Sequence, residues 1–479
     1  MYKYDMLLKN GFIVDYLNNF EGTADIAIKS GRIVKISKNI NIDHSAQVLE
    51  LDGNTVFPGI VDLHIHASGW LGGRFAHRML AKAGVTTALD MSGPVDSVLE
   101  VMREHGVGIN LATIEFVRPD YTVKSDNPSD KELQTLISNV LKKGSIGIKL
   151  LGGHYPLTPA ATKRAIAIAA KNQAYVAFHA GSKENGSNLN GFLEAVELAN
   201  GNPLHLAHIN AYCRGLVQPV IEEANIAINS LINNPNITSE SYLSPLNGTS
   251  ALITNGVPAS LVTRRCLQTG GYEPTADGLE KAIMDGWAQV NVEQGGEVTL
   301  ATGKAGVDYW KKLGDAGVSF AVNPPEARYL LATAKRSNGE FVVDTISTDG
   351  GGIPRNVLLS HGLSLVEFQS ISMKELVKKI SYNPAQILGL KNKGHLSVGA
   401  DADITVVDVK NKKALMTIVA GDLVMHKGCV LGNGGSIITT DLGVENVEKY
   451  GLKPIIVNIA ESTFYKRAFP IKKVTKNKK

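Results

Sequence analysis

Phe57-Pro58-Gly59-Ile60-Val61-Asp62-Leu63-His64-Ile65-His66 is the stretch on which the reading of this chain turns. A Pro-Gly pair redirects the backbone, an apolar run follows, and the run ends in two histidines one residue apart. Residues two apart on a strand share a face, so His64 and His66 point the same way. Neutral imidazoles so placed can approach one metal ion. Taken alone the pair is weak evidence, because two packed core histidines would read the same.

Downstream, the same kind of run recurs. Val85–Met91, Val107–Phe116, Ile146–Leu151, Tyr175–His179, Leu204–Ile209, Ile237–Leu243 and Val342–Ser347 are near-continuous apolar or small-residue stretches. Helical patterns such as Val95–His105, Lys131–Lys143 and Pro159–Lys171 separate them. Buried parallel strands joined by helical crossovers predict an α/β fold, a closed (β/α)8 TIM barrel over 59–390. An insertion at about 246–317, between strands seven and eight, is expected to cap the barrel mouth. Upstream, short alternating strands split by Gly-rich turns fill 1–58, and the pattern returns over 391–479. Together these predict a small flanking β-sandwich built from both chain ends.

Barrel enzymes place their chemistry at the C-terminal ends of the strands. The polar residues ending these runs are His64 and His66, Lys149, His179, His208 and Asp349. His179 and His208 close consecutive strands, which makes convergence with His64 and His66 the better reading. His205 lies three residues before His208 and is expected to face away, into packing. Lys149 is out of place beside divalent cations as an ammonium, but as a CO2-derived carbamate it becomes an anion with two ligand oxygens. A structural or anion-binding lysine is the alternative. Asp349, followed by three glycines, can bind a metal and accept a proton from water. The glycines are expected to allow close backbone approach to substrate. A helix-cap role is the other reading of Asp349.

These residues resemble the amidohydrolase superfamily, in particular its dihydroorotase, hydantoinase, isoaspartyl dipeptidase and D-aminoacylase branches. The match extends to Ser347-Thr348-Asp349, to Asn323-Pro324-Pro325 before the last barrel strand, and to Gly399-Ala400-Asp401-Ala402-Asp403-Ile404 at the exit from the barrel. The resemblance implies two divalent ions, expected to be Zn2+, held by His64, His66, His179, His208 and Asp349 and bridged by carboxylated Lys149. It implies hydrolysis of a C–N amide bond, in an N-acyl amino acid or a cyclic amide, by a metal-activated hydroxide with Asp349 as proton shuttle. Hydantoinase-like enzymes often place a carbonyl-polarising tyrosine about five residues after the lysine. His154 holds that offset here and Tyr155 follows, so both are candidate catalytic groups. Asn323 and Arg355 are candidate substrate-binding residues, although Arg355 reads equally as a surface arginine.

Two rival functions are weighed. A deaminase of a nitrogen heterocycle would share the barrel but carry a His-x-x-Glu element; Ala180-Gly181-Ser182 and Ile209-Asn210-Ala211 after the two histidines do not supply one. A non-catalytic homologue would usually have lost ligands, and all six are retained. Composition excludes other classes. Charged residues are 20% of 479 and hydrophobic ones 44%, so disorder is excluded for most of the chain. Three scattered cysteines make no disulfide framework or cysteine-type zinc site. No signal-peptide core and no long uncharged apolar run occurs, so a cytoplasmic protein is expected. The net charge of +4 is concentrated in a basic tail from Phe464, expected to be a loose, solvated terminus. The body is not basic, which disfavours nucleic acid. The expected partner is a small-molecule amide, in a homo-oligomer.

Overall fold

The computed structural model describes residues 2–70 and 72–469. Eight parallel strands form a closed ring: Ile60–His66, Val85–Asp90, Val107–Val117, Gly147–Leu151, Tyr175–His179, Leu204–Leu206, Ile237–Tyr242 and a divided eighth strand. Thr345–Ser347 pairs with the seventh strand, whereas Gly350–Gly351 pairs with Ile65 and His66 of the first. The ring thus closes across Thr348-Asp349, where Asp349 turns with φ 53°. The eighth strand expected over Val342–Ser347 is displaced towards its C-terminal end by this break.

Gly351 explains the close approach at the seam. Its φ is +73°, and a Cβ there would lie 2.4 Å from the His66 carbonyl oxygen. A Cβ on Gly350 would meet Asn356 Oδ1 at 2.4 Å. These two glycines serve strand closure.

Outside the ring, helices present apolar faces to the strands. Asp130–Lys142 begins with a capping box between Ser129 and Glu132, and Pro159–Lys171 begins with Thr158 accepting from the Ala161 amide. Leu133, Ile137, Ala165 and Ile166 from these helices are buried against Ile148, Val176 and Phe178 of the ring.

The chain ends meet in one nine-stranded sheet. Thr55–Pro58 pairs antiparallel with Ile404–Val407, so residues about as far apart as the whole barrel share one layer. Leu8, Ile13, Ile26, Val56, Ile404 and Ile418 form its core. Not all of 391–479 belongs there. Gly434–Thr439 lies parallel to the third barrel strand, which is eleven residues long and has an edge to spare before it meets the fourth strand. Thr463–Ala468 is a helix whose Phe464 stacks on Tyr175 at 4.4 Å between centroids, while Arg467 pairs with Asp344 at 2.7 Å. The start of the basic tail is therefore packed, contrary to expectation; residues 470–479 lie outside the described ones.

The insertion has its own core. Asn247–Ser250, Gly317–Phe320, Ala288–Gln294 and Glu297–Ala301 make a four-stranded antiparallel sheet that packs three helices through Leu267, Leu279, Ile283, Val290, Trp310 and Phe320. Its last strand carries it to Phe320, three residues past the expected end. It rests on the barrel through Arg74–Glu293 and Lys82–Glu297 ion pairs. Val298 and Ile353 are the contacts near Gly72 and Gly248, so the insertion overlies the segments that follow the first and eighth strands. No helix among the described residues is long and apolar enough to cross a membrane.

Candidate active site

The first strand delivers His64 and His66 to the C-terminal mouth, and the break in the eighth brings Asp349 to them. His66 Nε2 lies 2.7 Å from Asp349 Oδ1, and His64 Nε2 lies 3.3 Å from the same oxygen. One donor atom from each of the three falls within 4.8 Å of the others. His208 stacks on His64 with centroids 5.3 Å apart, and His179 meets His208 edge-on at 4.5 Å. The four histidines and Asp349 therefore form one contiguous cluster.

Backbone geometry makes this possible. His208 has φ 37° and Asp349 φ 53°, conformations that cost a non-glycine residue on the order of 1–3 kcal/mol each. Both are held: the His208 amide donates to Glu240 Oε1 at 2.8 Å, and the Asp349 amide donates to the His64 carbonyl at 2.8 Å. Close packing leaves room for nothing larger than glycine at 153, where a Cβ would lie 2.0 Å from His179 Nε2.

Lys149 is buried inside the ring. Its Nζ donates to Met91 Sδ at 3.0 Å and makes no ion pair among the described residues. Burial pulls the amine down to about 8, against the opposing pull of Glu240, Asp349 and Asp90. Burial likewise holds His64 and His179 well below the usual imidazole range and His208 down to about 3. These imidazoles are neutral at neutral pH and keep a lone pair for a cation. Burial alone would raise Asp349, but Arg355, His64 and His66 outweigh it and hold the carboxyl well below its ordinary value.

Three expectations change. Arg355 is neither a surface residue nor free to hold a substrate carboxylate. It is buried, with NH2 2.7 Å from Asp349 Oδ2, Nε donating to the Asp349 carbonyl, and NH1 donating to the Leu246 carbonyl at 3.1 Å. Asn323 is likewise committed: Nδ2 donates to Tyr242 Oη at 3.0 Å and to the carbonyls of Pro245 and Leu246, and Oδ1 accepts from Arg214 at 2.9 Å. It fixes the root of the insertion. His205 does not face away. The register aligns Lys149, Ala177, His205 and Thr238 in one interior row, and His205 Nδ1 pairs with Tyr175 Oη at 2.7 Å. The left-handed turn at His208 lets both histidines serve the same interior.

His154 and Tyr155 diverge. The His154 ring sits edge-on to His179 at 5.0 Å, while Tyr155 lies beneath the Arg118 guanidinium at 4.1 Å. Of the two, His154 adjoins the cluster.

Two groups escaped sequence reasoning. Arg214, on the segment after the sixth strand, donates to Asn323 and to Asn247 Oδ1 at 3.1 Å. Glu240, from the seventh strand, is fully buried and accepts from His64 Nδ1 at 2.6 Å. The polar run Thr238-Ser239-Glu240-Ser241 left no alternation to mark its face.

The donor set fits a divalent cation. His64, His66 and Asp349 could hold one ion, and the neutral imidazoles of His179 and His208 adjoin them. Nε2 of His64 and Oδ1 of Asp349 are two acceptors facing each other at 3.3 Å once His64 carries its proton on Nδ1, and a cation relieves that opposition.

Barrel, mouth-facing ligand set and divided eighth strand define a metal-dependent hydrolase architecture. The sequence pattern of the amidohydrolase family matches residues 55–229 and 329–433, and the chain belongs to that family. It is 24% identical over 423 residues to a dihydroorotase of Streptococcus thermophilus, covering 85% of this chain and 91% of that one. Its fold is similar to that of the N-acyl-D-glutamate deacylase of Bordetella bronchiseptica, solved with zinc and a phosphonate inhibitor (TM-score 0.65, 15% identity, 91% and 99% covered). It is also similar to a chain of the formyltransferase/hydrolase complex of Methylorubrum extorquens (TM-score 0.62, 16% identity, 91% of each covered).

Proposed function

We propose that this protein hydrolyses the C–N amide bond of a small molecule, an N-acyl amino acid or a cyclic amide. The observation that carries the reading is the convergence of His64, His66 and Asp349 within 4.8 Å at the barrel mouth, beside a buried lysine that makes no ion pair among the described residues. Two divalent ions, zinc in this reading, would supply the Lewis acid for the amide carbonyl and the positive charge that makes water nucleophilic near neutral pH.

The chain's own groups do the rest. The neutral Lys149 amine adds to CO2: an N–C bond forms, one proton leaves to solvent, and the resulting carbamate supplies two anionic ligand oxygens. His154 donates a hydrogen bond to the oxyanion that develops as water adds to the carbonyl carbon. Asp349 accepts the water proton at a carboxylate oxygen and returns it to the leaving nitrogen as the C–N bond breaks. Arg355 keeps that carboxylate aimed. Carboxylate and amine products then leave. We read the protein as a cytoplasmic homo-oligomer with no nucleic-acid partner.

The test loads the full chain with Zn2+ and offers dihydroorotate, hydantoin, N-acetyl and N-formyl amino acids. At least one should be cleaved, and chelator should abolish the turnover. Ammonia release from a heterocycle, with no amide cleaved, would replace this reading with a deaminase. A metal-loaded protein inert to all of them would sink it.

A further inference from the structure

We infer that Glu240 is a positioning residue of the metal centre, one carboxylate oxygen that fixes two ligand histidines from different strands. The inference rests on the reading of the cluster as a metal site. Oε1 accepts from the His64 side chain at Nδ1, 2.6 Å away, and from the His208 backbone amide, 2.8 Å away. The first contact decides which nitrogen of His64 carries its proton. With hydrogen on Nδ1, the lone pair of Nε2 is directed at Asp349 and the ligand cluster. The second contact holds His208 in its left-handed turn, without which its ring would follow the strand alternation away from the cluster.

Geometry also argues against a merely structural acid. Glu240 is 0% exposed, and its second oxygen, Oε2, has no partner among the described residues. Its register neighbour Thr345 is no help, since Thr345 Oγ1 is likewise unpartnered. A carboxylate buried for packing alone would gain stability from replacement by an apolar side chain. Here one oxygen instead meets two ligand histidines from different strands. Metal-ligating histidines commonly donate their other N–H to a carboxylate, and losing that partner typically costs about 10–100-fold in metal affinity.

The experiment uses the full chain stripped by chelator and titrated with Co2+, read by its visible absorption and by chelator competition. Glu240→Gln should bind about 10–100-fold more weakly than wild type and show an altered absorption band. In a His64→Ala background, adding Glu240→Gln should change affinity far less, because the partner through which it acts is gone. Affinity within twofold and an unchanged band in Glu240→Gln, or full additivity in the double variant, would overturn the inference. A second measurement needs no variant to fold. In metal-free wild-type protein with 15N-labelled histidine, His64 should be the Nδ1–H tautomer with a strongly hydrogen-bonded proton; an Nε2–H tautomer would overturn the inference. Failure of wild-type protein to bind Co2+ would reject the metal reading itself, separately from these results.

Discussion

Arg355 grips Asp349 at two points, its NH2 2.7 Å from the carboxylate Oδ2 and its Nε on the main-chain carbonyl. The pair is buried, so removing one partner strands the other charge. Arg355→Met should destabilise the metal-free protein by about 3–5 kcal/mol. The loss should shrink on metal loading, because bound cations replace the missing positive charge. Thermal unfolding with and without Zn2+ checks this, and equal losses in both states would contradict it.

Asp349→Asn keeps a ligand oxygen but cannot take up a proton. Turnover should fall by about 10²–10⁴ while metal content stays near that of wild type. An Asn variant with both metals and near-normal turnover would remove Asp349 from the proton path.

Lys149→Ala should bind less than the roughly two metal ions expected per chain and lose activity, since the proposed bridging carbamate can no longer form. Short-chain carboxylic acids should restore part of both by entering the space left behind. A wild-type protein that carries no mass increment of CO2 on Lys149 and binds a single ion would reject the bridge.

Deleting 250–312 should leave metal binding intact and raise KM or change substrate preference. Asn247–Thr249 would still pair with Val318–Phe320, with 313–317 as the turn. Arg214 and Asn323 would keep the root in place. Unchanged kinetics with an altered assembly state would make the insertion an oligomer contact instead of a cap.

His77 offers a pH test away from the site. It lies on the helix Gly73–Lys82, fully buried, with both ring nitrogens unpartnered among the described residues. Burial lowers it from 6.5 to about 4 in the folded chain. The unfolded chain therefore takes up the proton first, and stability present above pH 6.5 is lost as pH falls towards 4, about 3 kcal/mol in all. His77→Leu removes that loss. Its Tm should gain on wild type as pH drops from 7 to 5, and a constant gap would contradict the assignment.

Much of this was legible in the sequence, for definite reasons. Near-continuous apolar strands with crossovers admit few folds besides a barrel, and the strand-ending histidines sit where such a barrel converges. Glu240 was not legible, because Thr238, Ser239 and Ser241 surround it with polar residues and erase the alternation that would have marked its face. Arg355 and Asn323 looked like substrate groups because sequence shows charge and hydrogen-bonding capacity but not prior commitment. His205 was assigned the wrong face because strand alternation fails at the left-handed turn of His208. The divided eighth strand hid for the same reason, its break being a single positive φ at Asp349.

The pairing of Thr55–Pro58 with Ile404–Val407 sets an order on biosynthesis. The first strands leave the ribosome with that edge bare, and their partner is translated only after the entire barrel. At about 5–20 residues per second the wait is tens of seconds. Throughout it, Val56 and Phe57, both fully buried in the finished protein, lack half their cover. A nascent chain halted before residue 404 should therefore be captured by chaperones through its amino-terminal sheet, whereas one released past residue 430 should not.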